Sequence, residues 1–184
     1  MHKLMKKLMS AVAGLVLIAP LAHSTAEAAA AKPLKVIKTV EIAAPPAAVW
    51  DKIKSFDAIN TWHPAFASDE IVKGENNKVG AVRKLVVKDG PTFTEQLLAF
   101  SDKGRMVKYK IIDPSPLPIA GYVSSIKVKA GKQPNTSVVT WQGNFKRKKV
   151  DNPGPEENDE AVVKFISGTY DTGLANLKKI SETK

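Results

Sequence analysis

Two periodicities organise the apolar and polar residues along the chain. Alternation with a period of two predicts β-strands, whereas apolar residues repeated every three or four positions predict amphipathic helices. Seven segments alternate in this way, and turns rich in Gly, Asn, Asp or Pro separate them. The predicted strands are 35–42, 68–73, 81–88, 92–100, 106–112, 122–129 and 137–147.

Helical spacing marks three other segments. Short helices are predicted over 47–56 and 57–62, and a long one over about 159–180 with Asp159 as its N-cap. The order of one strand, two short helices, six strands and a long helix predicts an α+β fold. In it, a curved antiparallel sheet of about seven strands wraps around the C-terminal helix and leaves a cavity. The apolar stripe of that helix comprises Val162, Phe165, Ile166, Thr169, Tyr170, Gly173, Leu174, Leu177 and Ile180.

The amino terminus has the pattern of a cleavable secretory signal. Three lysines within residues 1–7 precede an apolar run over 8–22, which is shorter than the ~20 residues that span a bilayer. The sequence Ala26-Glu27-Ala28 fits an A-x-A cleavage pattern. We therefore expect a signal peptide over 1–28 and a single exported domain over 29–184, with an uncleaved anchor as the alternative.

The amino-acid composition limits the cellular compartments and the classes of partner that we expect for this protein. The chain has no cysteine, which excludes disulfides and a lipid-anchored lipoprotein and requires a packed core. Its formal net charge of +10 becomes +8 once residues 1–28, with three lysines and one glutamate, are removed. A basic exported protein suggests an acidic partner protein or an anionic ligand rather than nucleic acid. We expect a periplasmic protein with no stable membrane anchor after signal cleavage.

Several motifs in a fixed order resemble one superfamily. They are Pro-x-x-x-Val-Trp at 45–50, Trp62-His63-Pro64, the hairpin sequence DGPTFTEQLLAFSD at 89–102, Leu117-Pro118 followed by Tyr122, and the closing helix sequence YDTGLANLKKI at 170–180. Together they extend over nearly all of 29–184. They resemble the START/Bet v-like helix-grip superfamily (SRPBCC) of the polyketide cyclase/dehydrase type.

The resemblance implies a deep pocket between sheet and helix that takes lipids, sterols or polyketides, in binders and enzymes alike. A signal peptide ahead of such a domain is similar to the small periplasmic MxaD-like accessory proteins of bacterial methanol oxidation. The resemblance thus implies an exported hydrophobic-ligand-binding or accessory protein, which in methanol oxidation would promote dehydrogenase–cytochrome interaction. The alternative is a polyketide cyclase/dehydratase-like enzyme that uses the internal cavity.

Side chains able to support metal or nucleophilic chemistry are scarce. Of three histidines, only His63 lies beyond the predicted signal peptide, so neither a zinc site nor a Ser-His-Asp constellation is predicted. We expect no metal, no cofactor and no catalytic residue, and the sequence favours binding over autonomous catalysis. His63 either lines the mouth of the pocket or acts as a lone acid or base, and the alternative is a structural or merely exposed residue.

Arg83 and Glu95 lie on the two strands that flank the turn Asp89-Gly90. A three-residue loop over 89–91 places both charges on one face as diagonal neighbours, able to pair inside the cavity. A two-residue loop instead pairs Lys84 with Glu95 and turns Arg83 to the opposite face. The sequence leaves both registers open, and with them a buried or a surface ion pair.

Aromatic residues supply the other candidates for the pocket wall. Gly143 is predicted to leave room between Trp141 and Phe145 on one strand face, so a bulky side chain there is expected to block the pocket and spare the fold. Ordinary core packing is the alternative for each ring taken singly. The pocket candidates are Trp62, His63, Phe66, Arg83, Glu95, Tyr109, Tyr122, Trp141, Phe145, Phe165 and Tyr170.

A run of four cations, Lys146-Arg147-Lys148-Lys149, ends the last strand and is the candidate docking site for an acidic periplasmic protein. The acidic stretch over 156–160 lies close behind it and could fold back over the run. The alternative is a solvated strand end. Lysines 108, 110, 127 and 129 alternate with apolar residues, as expected of the solvent-exposed face of a sheet.

Overall fold

A computed structural model describes residues 31–183, so the predicted signal peptide over 1–28 lies outside the described residues. Helix α1 (Pro46–Ile53) and a 3-10 turn (Ile59–Thr61) follow the first strand, and helix α2 (Asp159–Glu182) follows the last. No helix within 31–183 is both long enough and apolar enough to cross a membrane. The strands are β1 (Leu34–Ile42), β2 (Phe66–Lys73), β3 (Val82–Val87), β4 (Thr92–Ser101), β5 (Met106–Ile111), β6 (Ile119–Ala130) and β7 (Ser137–Arg147).

The seven strands form one open antiparallel sheet in the order β1-β7-β6-β5-β4-β3-β2. Strands β1 and β2 are neighbours in sequence but lie at opposite edges, and the segment with α1 and the 3-10 turn connects them. Register shifts interrupt the pairings of β2 with β3, β4 with β5 and β6 with β7. Such bulges increase the twist and bend of a sheet, and this one curves around α2. The predicted helix-grip architecture is confirmed.

The connection after β1 is less helical than predicted. Helix α1 ends at Ile53, and the helix expected over 57–62 is wrong, because only the 3-10 turn forms there. Distant side chains accept from the backbone amides that a helix would use internally. Asn77 Oδ1 accepts from the amide of Phe56 at 2.9 Å, and Asp69 Oδ2 accepts from the amide of Ile59 at 3.1 Å. Tertiary hydrogen bonds thus replace the helical ones.

The cap of α2 also differs from the prediction by one residue. Asn158, in extended backbone conformation, accepts from the amide of Ala161 at 2.8 Å and is the N-cap. Asp159 is instead the first helical residue, where its carboxylate accepts from Arg147 Nη1 at 2.6 Å. An acidic side chain in the first turn also interacts favourably with the helix dipole.

The apolar face of α2 packs into the concave side of the sheet. Its buried residues include Val162, Ile166, Tyr170, Leu174 and Leu177, as the stripe predicts. Phe165 departs from the prediction, since 43% of its surface is exposed. The ring therefore lies at the rim of the core rather than within it.

Two glycines allow close approach between α2 and the sheet. A Cβ at Gly173 would lie 2.9 Å from Trp141 Cζ3 and 2.8 Å from His63 Nε2. A Cβ at Gly143 would meet the hydroxyl of Tyr170. The space beside Gly143 is therefore filled by Tyr170, and the expectation that a bulky residue there spares the fold is wrong.

Candidate ligand cavity

An apolar cavity of about 150 Å³ lies between the concave face of the sheet and helix α2. Strands β2 to β7 contribute residues to one wall, and residues 165–169 of α2 form the opposite wall. Glu95 is the one ionisable carboxylate in a wall that is otherwise mainly aromatic and aliphatic. The lining residues are Ile59, Ala65, Phe66, Val87, Phe93, Glu95, Tyr109, Ile111, Leu117, Tyr122, Trp141, Phe165, Ile166 and Thr169.

The buried guanidinium group of Arg83 fixes the position of the Glu95 side chain. Arg83 lies directly opposite Glu95 in the β3–β4 hairpin and donates from Nε and Nη2 to Glu95 Oε2, at 2.9 and 2.6 Å. Its Nη1 donates to the carbonyl oxygen of Phe56 at 2.6 Å and to Asp69 Oδ2 at 3.1 Å. The guanidinium carbon also lies 4.3 Å from the centroid of the Phe56 ring. These partners fix the guanidinium through electrostatic, hydrogen-bond and cation–π contacts.

The register resolves the two alternatives for the hairpin. Val87 N donates to Pro91 O at 3.1 Å, so the loop comprises residues 88–90 and begins one residue earlier than the three-residue loop predicted. Arg83 and Glu95 consequently face each other directly rather than diagonally, and the pairing of Lys84 with Glu95 does not occur. The ion pair is buried, with the two side chains 3% and 5% exposed.

One oxygen of Glu95 remains available to a ligand. Oε2 accepts both bonds from Arg83, whereas Oε1 has no hydrogen-bond partner within residues 31–183. Burial raises the pKa of the Glu95 carboxyl, and Arg83 offsets part of this rise. A carboxylate oxygen in an apolar wall is most stable when it accepts a hydrogen bond. The cavity therefore presents one strong acceptor to a bound molecule.

A second polar cluster surrounds Trp141 in the wall of the cavity. Tyr122 and Tyr170 are joined through their hydroxyls at 2.6 Å, and Ser124 Oγ lies 3.0 Å from the Tyr170 hydroxyl. Trp141 Nε1 donates to the hydroxyl of Tyr109 and to Ser124 Oγ, both at 3.0 Å. Burial raises the pKa of all three phenols, that of Tyr170 to about 12, so each stays a neutral hydroxyl. The cluster satisfies its own hydrogen bonds and fixes the rings around the cavity.

His63 is buried and has both ring nitrogens engaged. Its Nε2 lies 2.9 Å from the carbonyl oxygen of Thr169, and its Nδ1 accepts from the amide of Ala65 at 3.2 Å. This pattern requires a neutral ring protonated at Nε2. Burial lowers the pKa of His63 accordingly. The residue anchors the segment after the 3-10 turn to α2, which is a structural role.

This histidine predicts a loss of stability in mild acid. Because the folded state disfavours the imidazolium, the stabilising contribution of His63 is complete above its ordinary pKa of about 6.5 and is lost as the pH falls below it. Between pH 7 and 5.5 we expect the free energy of unfolding to fall by up to about 1.4 kcal/mol per pH unit. Urea denaturation across this range measures it. His63→Gln should be less stable at pH 7 but show a flatter profile, and an equal slope in both proteins would contradict the assignment.

The cavity reaches the surface beside Phe165. Phe165, Ala65 and Thr169 line both the cavity and a surface groove of about 600 Å³. The groove runs between α2 and the loop that precedes it, and contains residues such as Pro155 and Lys164. The half-exposed ring of Phe165 thus lies at the mouth of the cavity.

Comparison with known families identifies this arrangement. A family model described as "Polyketide cyclase / dehydrase and lipid transport" matches residues 33–182. The chain belongs to this family. Membership places it in the SRPBCC superfamily that the motifs resemble, and the family suggests binding of hydrophobic ligands. A search of curated proteins found no significant match.

Solved structures share the fold of this polyketide cyclase/dehydrase-type domain. An uncharacterized protein from Bacillus thuringiensis is 33% identical, with 80% of this chain and 98% of that chain covered and a TM-score of 0.70. Protein XoxI from Bacillus cereus is also 33% identical, with 80% and 94% covered and a TM-score of 0.70. Zhui aromatase/cyclase from Streptomyces sp. R1128 is 16% identical, with 82% and 94% covered and a TM-score of 0.69, which shows the common fold alone.

The pocket candidates divide into lining residues and supporting residues in this family member. Phe66, Glu95, Tyr109, Tyr122, Trp141 and Phe165 line the cavity. Arg83 supports Glu95, Tyr170 stacks on Trp141 with ring centroids 4.3 Å apart, and Phe145 packs against Tyr122 at 6.3 Å. Trp62 and His63 are buried, pack against Trp141 and do not line the cavity, although His63 lines the surface groove at its mouth.

Two polar residues of the site were not predicted from the sequence. Asp69 holds Arg83 from the β2 side, and its Oδ1 is buried without a partner among the described residues. Ser124 joins Trp141 to Tyr170. Each lies in a strand segment whose sequence is typical of a solvent-exposed strand. The only sequence signal for either residue is that Ser124 lies two positions after Tyr122 and so faces the same, inner side of the sheet.

Two of the four cations in the basic run over 146–149 pair with carboxylates of the segment that follows. Arg147 pairs with Asp159 at 2.6 Å, Lys149 pairs with Glu157 at 3.0 Å, and Lys148 donates to the carbonyl oxygen of Ser115. The acidic stretch does fold back over the run, as the sequence allowed, and pairs with two of its four cations. Only Lys146 makes no ion pair or side-chain hydrogen bond within 31–183, and it points away from the others, on the outer face of the sheet.

Proposed function

We propose that the protein binds a small apolar molecule carrying one hydrogen-bond donor, such as a hydroxyl, within the cavity. One observation carries this proposal: Glu95 lines an apolar, ring-lined space, and one of its carboxylate oxygens has no hydrogen-bond partner within residues 31–183. The apolar wall stabilises the body of the ligand, and Glu95 Oε1 accepts from its donor. The rest of the wall is mainly apolar and would desolvate a cation at high cost, so a neutral donor suits the site better than a cation.

The size of the cavity limits the ligand. Apolar cavities of about 150 Å³ admit molecules of roughly the size of benzene. The space of about 150 Å³ here therefore suits a single ring or a short branched chain rather than a sterol or a multi-ring polyketide, unless Phe165 moves outward. The ligand would enter from the groove beside Phe165.

Binding is favoured over catalysis by the state of the surrounding groups. His63 has both nitrogens engaged, and all the hydrogen bonds that Arg83 makes go to protein acceptors. Glu95 alone is left to move a proton, without a second group to complete an acid–base pair. The cyclase-like alternative would require such a partner from the substrate itself.

Two matched ligands test the proposed site. We expect p-cresol to bind with a dissociation constant below about 1 mM and to quench Trp141 fluorescence. Toluene, which lacks only the hydroxyl, should bind at least about tenfold more weakly, because a hydrogen bond to a charged group contributes about 1.5–3 kcal/mol. Isothermal titration calorimetry of the purified protein measures both affinities.

Substitutions at the mouth provide the control. Ala65→Trp should abolish p-cresol binding, since the indole fills the entrance while the backbone amide of residue 65 still donates to His63. Ala67→Trp introduces the same side chain at an exposed position outside both the cavity and the groove, and should leave binding unchanged. Equal affinity for toluene and p-cresol, or equal binding by the two variants, would contradict the proposal.

The finer biological role is also a proposal: an exported accessory protein that assists periplasmic methanol oxidation by promoting dehydrogenase–cytochrome interaction. The supporting observations are the secretory signal pattern over 1–28 and the resemblance to MxaD-like proteins. Deletion of the gene in the source bacterium should then slow growth on methanol but not on a multicarbon substrate. Unchanged growth on methanol would exclude this role and leave the ligand-binding proposal standing.

A further inference from the structure

The outer face of the sheet carries lysines without acidic neighbours. Strands alternate between buried and outward residues, and the outward positions of β5, β6 and β7 hold five lysines. The cross-strand register brings them together, since Lys108 lies opposite Ser125, and Lys127 lies opposite both Met106 and Thr140. We call this set the lysine face: Lys108, Lys110, Lys127, Lys129 and Lys146.

No carboxylate lies among these lysines. The remaining outward positions of β5, β6 and β7 carry neutral side chains, and the β4 residues opposite Lys110 and Lys108 are Gln96 and Ala99. Acidic residues lie at the borders of the set: Glu41 is on edge strand β1, opposite Val138, and Asp113 follows β5 and accepts from the amide of Gly121 at 3.3 Å. Surfaces that serve only solubility usually intersperse both signs of charge. The outward positions of β5, β6 and β7 carry lysines but no acidic side chain.

The lysines also lack partners elsewhere in the part of the chain that the structure describes. None of the five makes an ion pair or a side-chain hydrogen bond within 31–183, whereas Lys38, Lys84, Lys149 and Lys178 all pair with carboxylates. Lys108 and Lys127 are diagonal neighbours on adjacent strands, so their charges repel each other. An external anion would relieve that repulsion.

We propose that the lysine face docks an acidic surface of a partner protein. The proposal is independent of the cavity, which opens on the opposite side of the sheet. A shallow groove of about 190 Å³ between Met106, Lys127 and Lys129 gives the partner a point of contact. Around it, Ser125, Thr140 and Gln142 supply neutral hydrogen-bonding groups of the kind found at protein interfaces.

The composition of the face argues against other polyanions. It holds no aromatic side chain that would insert into a bilayer, and no arginine, which phosphate recognition favours for its planar fork of donors. Lysine ammonium groups keep much of their hydration and suit rapid, reversible encounters. Charge complementarity therefore favours an acidic protein surface.

Association of the purified protein with poly-L-glutamate, used as a polypeptide carboxylate probe, tests the proposal. We expect affinity to fall steeply as salt rises from low to physiological ionic strength, where the screening length is about 8 Å. Lys108→Glu combined with Lys127→Glu should weaken binding by about tenfold or more, without changing the melting temperature. Fluorescence anisotropy of labelled probe measures the affinity.

A matched variant distinguishes a defined face from overall charge. Lys78→Glu with Lys88→Glu makes the same change in net charge at exposed loop positions away from the lysine face and should lower affinity by less than about threefold. Equal losses in the two double variants would overturn the proposal, because net charge alone would explain binding. Tighter binding to phosphatidylglycerol vesicles than to poly-L-glutamate, lost in the Lys108/Lys127 variant, would also overturn it and assign the face to a membrane surface.

Discussion

Replacing Arg83 by methionine is expected to lower the free energy of unfolding by about 3–5 kcal/mol, because it leaves two buried carboxylates without their cation. Arg83 is the shared donor to Glu95 and Asp69, and all three side chains are at most 5% exposed. Urea denaturation at pH 7 measures the loss. Lys84→Met is the matched control on the next residue, whose exposed pair with Glu70 contributes at most about 1 kcal/mol.

The same variant should be less impaired in acid. Burial already raises the pKa of Glu95 and Asp69 in the unmodified protein, and the loss of Arg83 raises both further. The loss of stability is therefore largest at neutral pH and declines as the carboxyls take up protons. The stability gap between Arg83→Met and the unmodified protein should therefore narrow from pH 7 to pH 5. A gap that stays constant would mean that lost packing against Phe56, rather than lost charge pairing, dominates the effect.

Gly173→Ala is expected to destabilise the protein by about 1–3 kcal/mol, although alanine is the better helix former. The added Cβ would lie within 3 Å of atoms of both His63 and Trp141, and these rings are themselves held by hydrogen bonds to Thr169, Tyr109 and Ser124. The rings cannot yield without breaking those bonds. Thermal unfolding followed by circular dichroism measures the effect.

Gly168 provides the opposite result on the same helix. Nothing lies within 4 Å of a Cβ built at this exposed position, so Gly168→Ala should stabilise by up to about 1 kcal/mol through helix propensity alone. If both alanine variants shift the melting temperature upward, α2 does not pack against His63 as closely as described.

The fold follows from patterns that the sequence carries locally. Alternation locates all seven strands within a few residues of their ends, and the stripe of α2 predicts the face that is buried. The failures concern tertiary partners. The segment after Ile53 does not continue as helix because Asn77 and Asp69, remote in sequence, bind its amides. No local pattern signals such bonds.

The candidate site is only half predictable for the same reason. Parity along strands places Glu95, Tyr109 and Trp141 on the inner face. It does not reveal whether an inward residue touches the cavity or lies behind another side chain, as Arg83 and Tyr170 do. That distinction depends on the bulges that curve the sheet, and on the single residue by which the β3–β4 loop is displaced.

The pairing of β1 with β7 has a consequence for how the chain is made. Strand β1 has no neighbour in the sheet other than β7, so its hydrogen-bond partner does not exist until Ser137–Arg147 has been synthesised. At about 5–20 residues per second, the roughly 100 intervening residues take about 5–20 s to translate. During that interval the sheet cannot be completed and α2 has no finished surface to pack against.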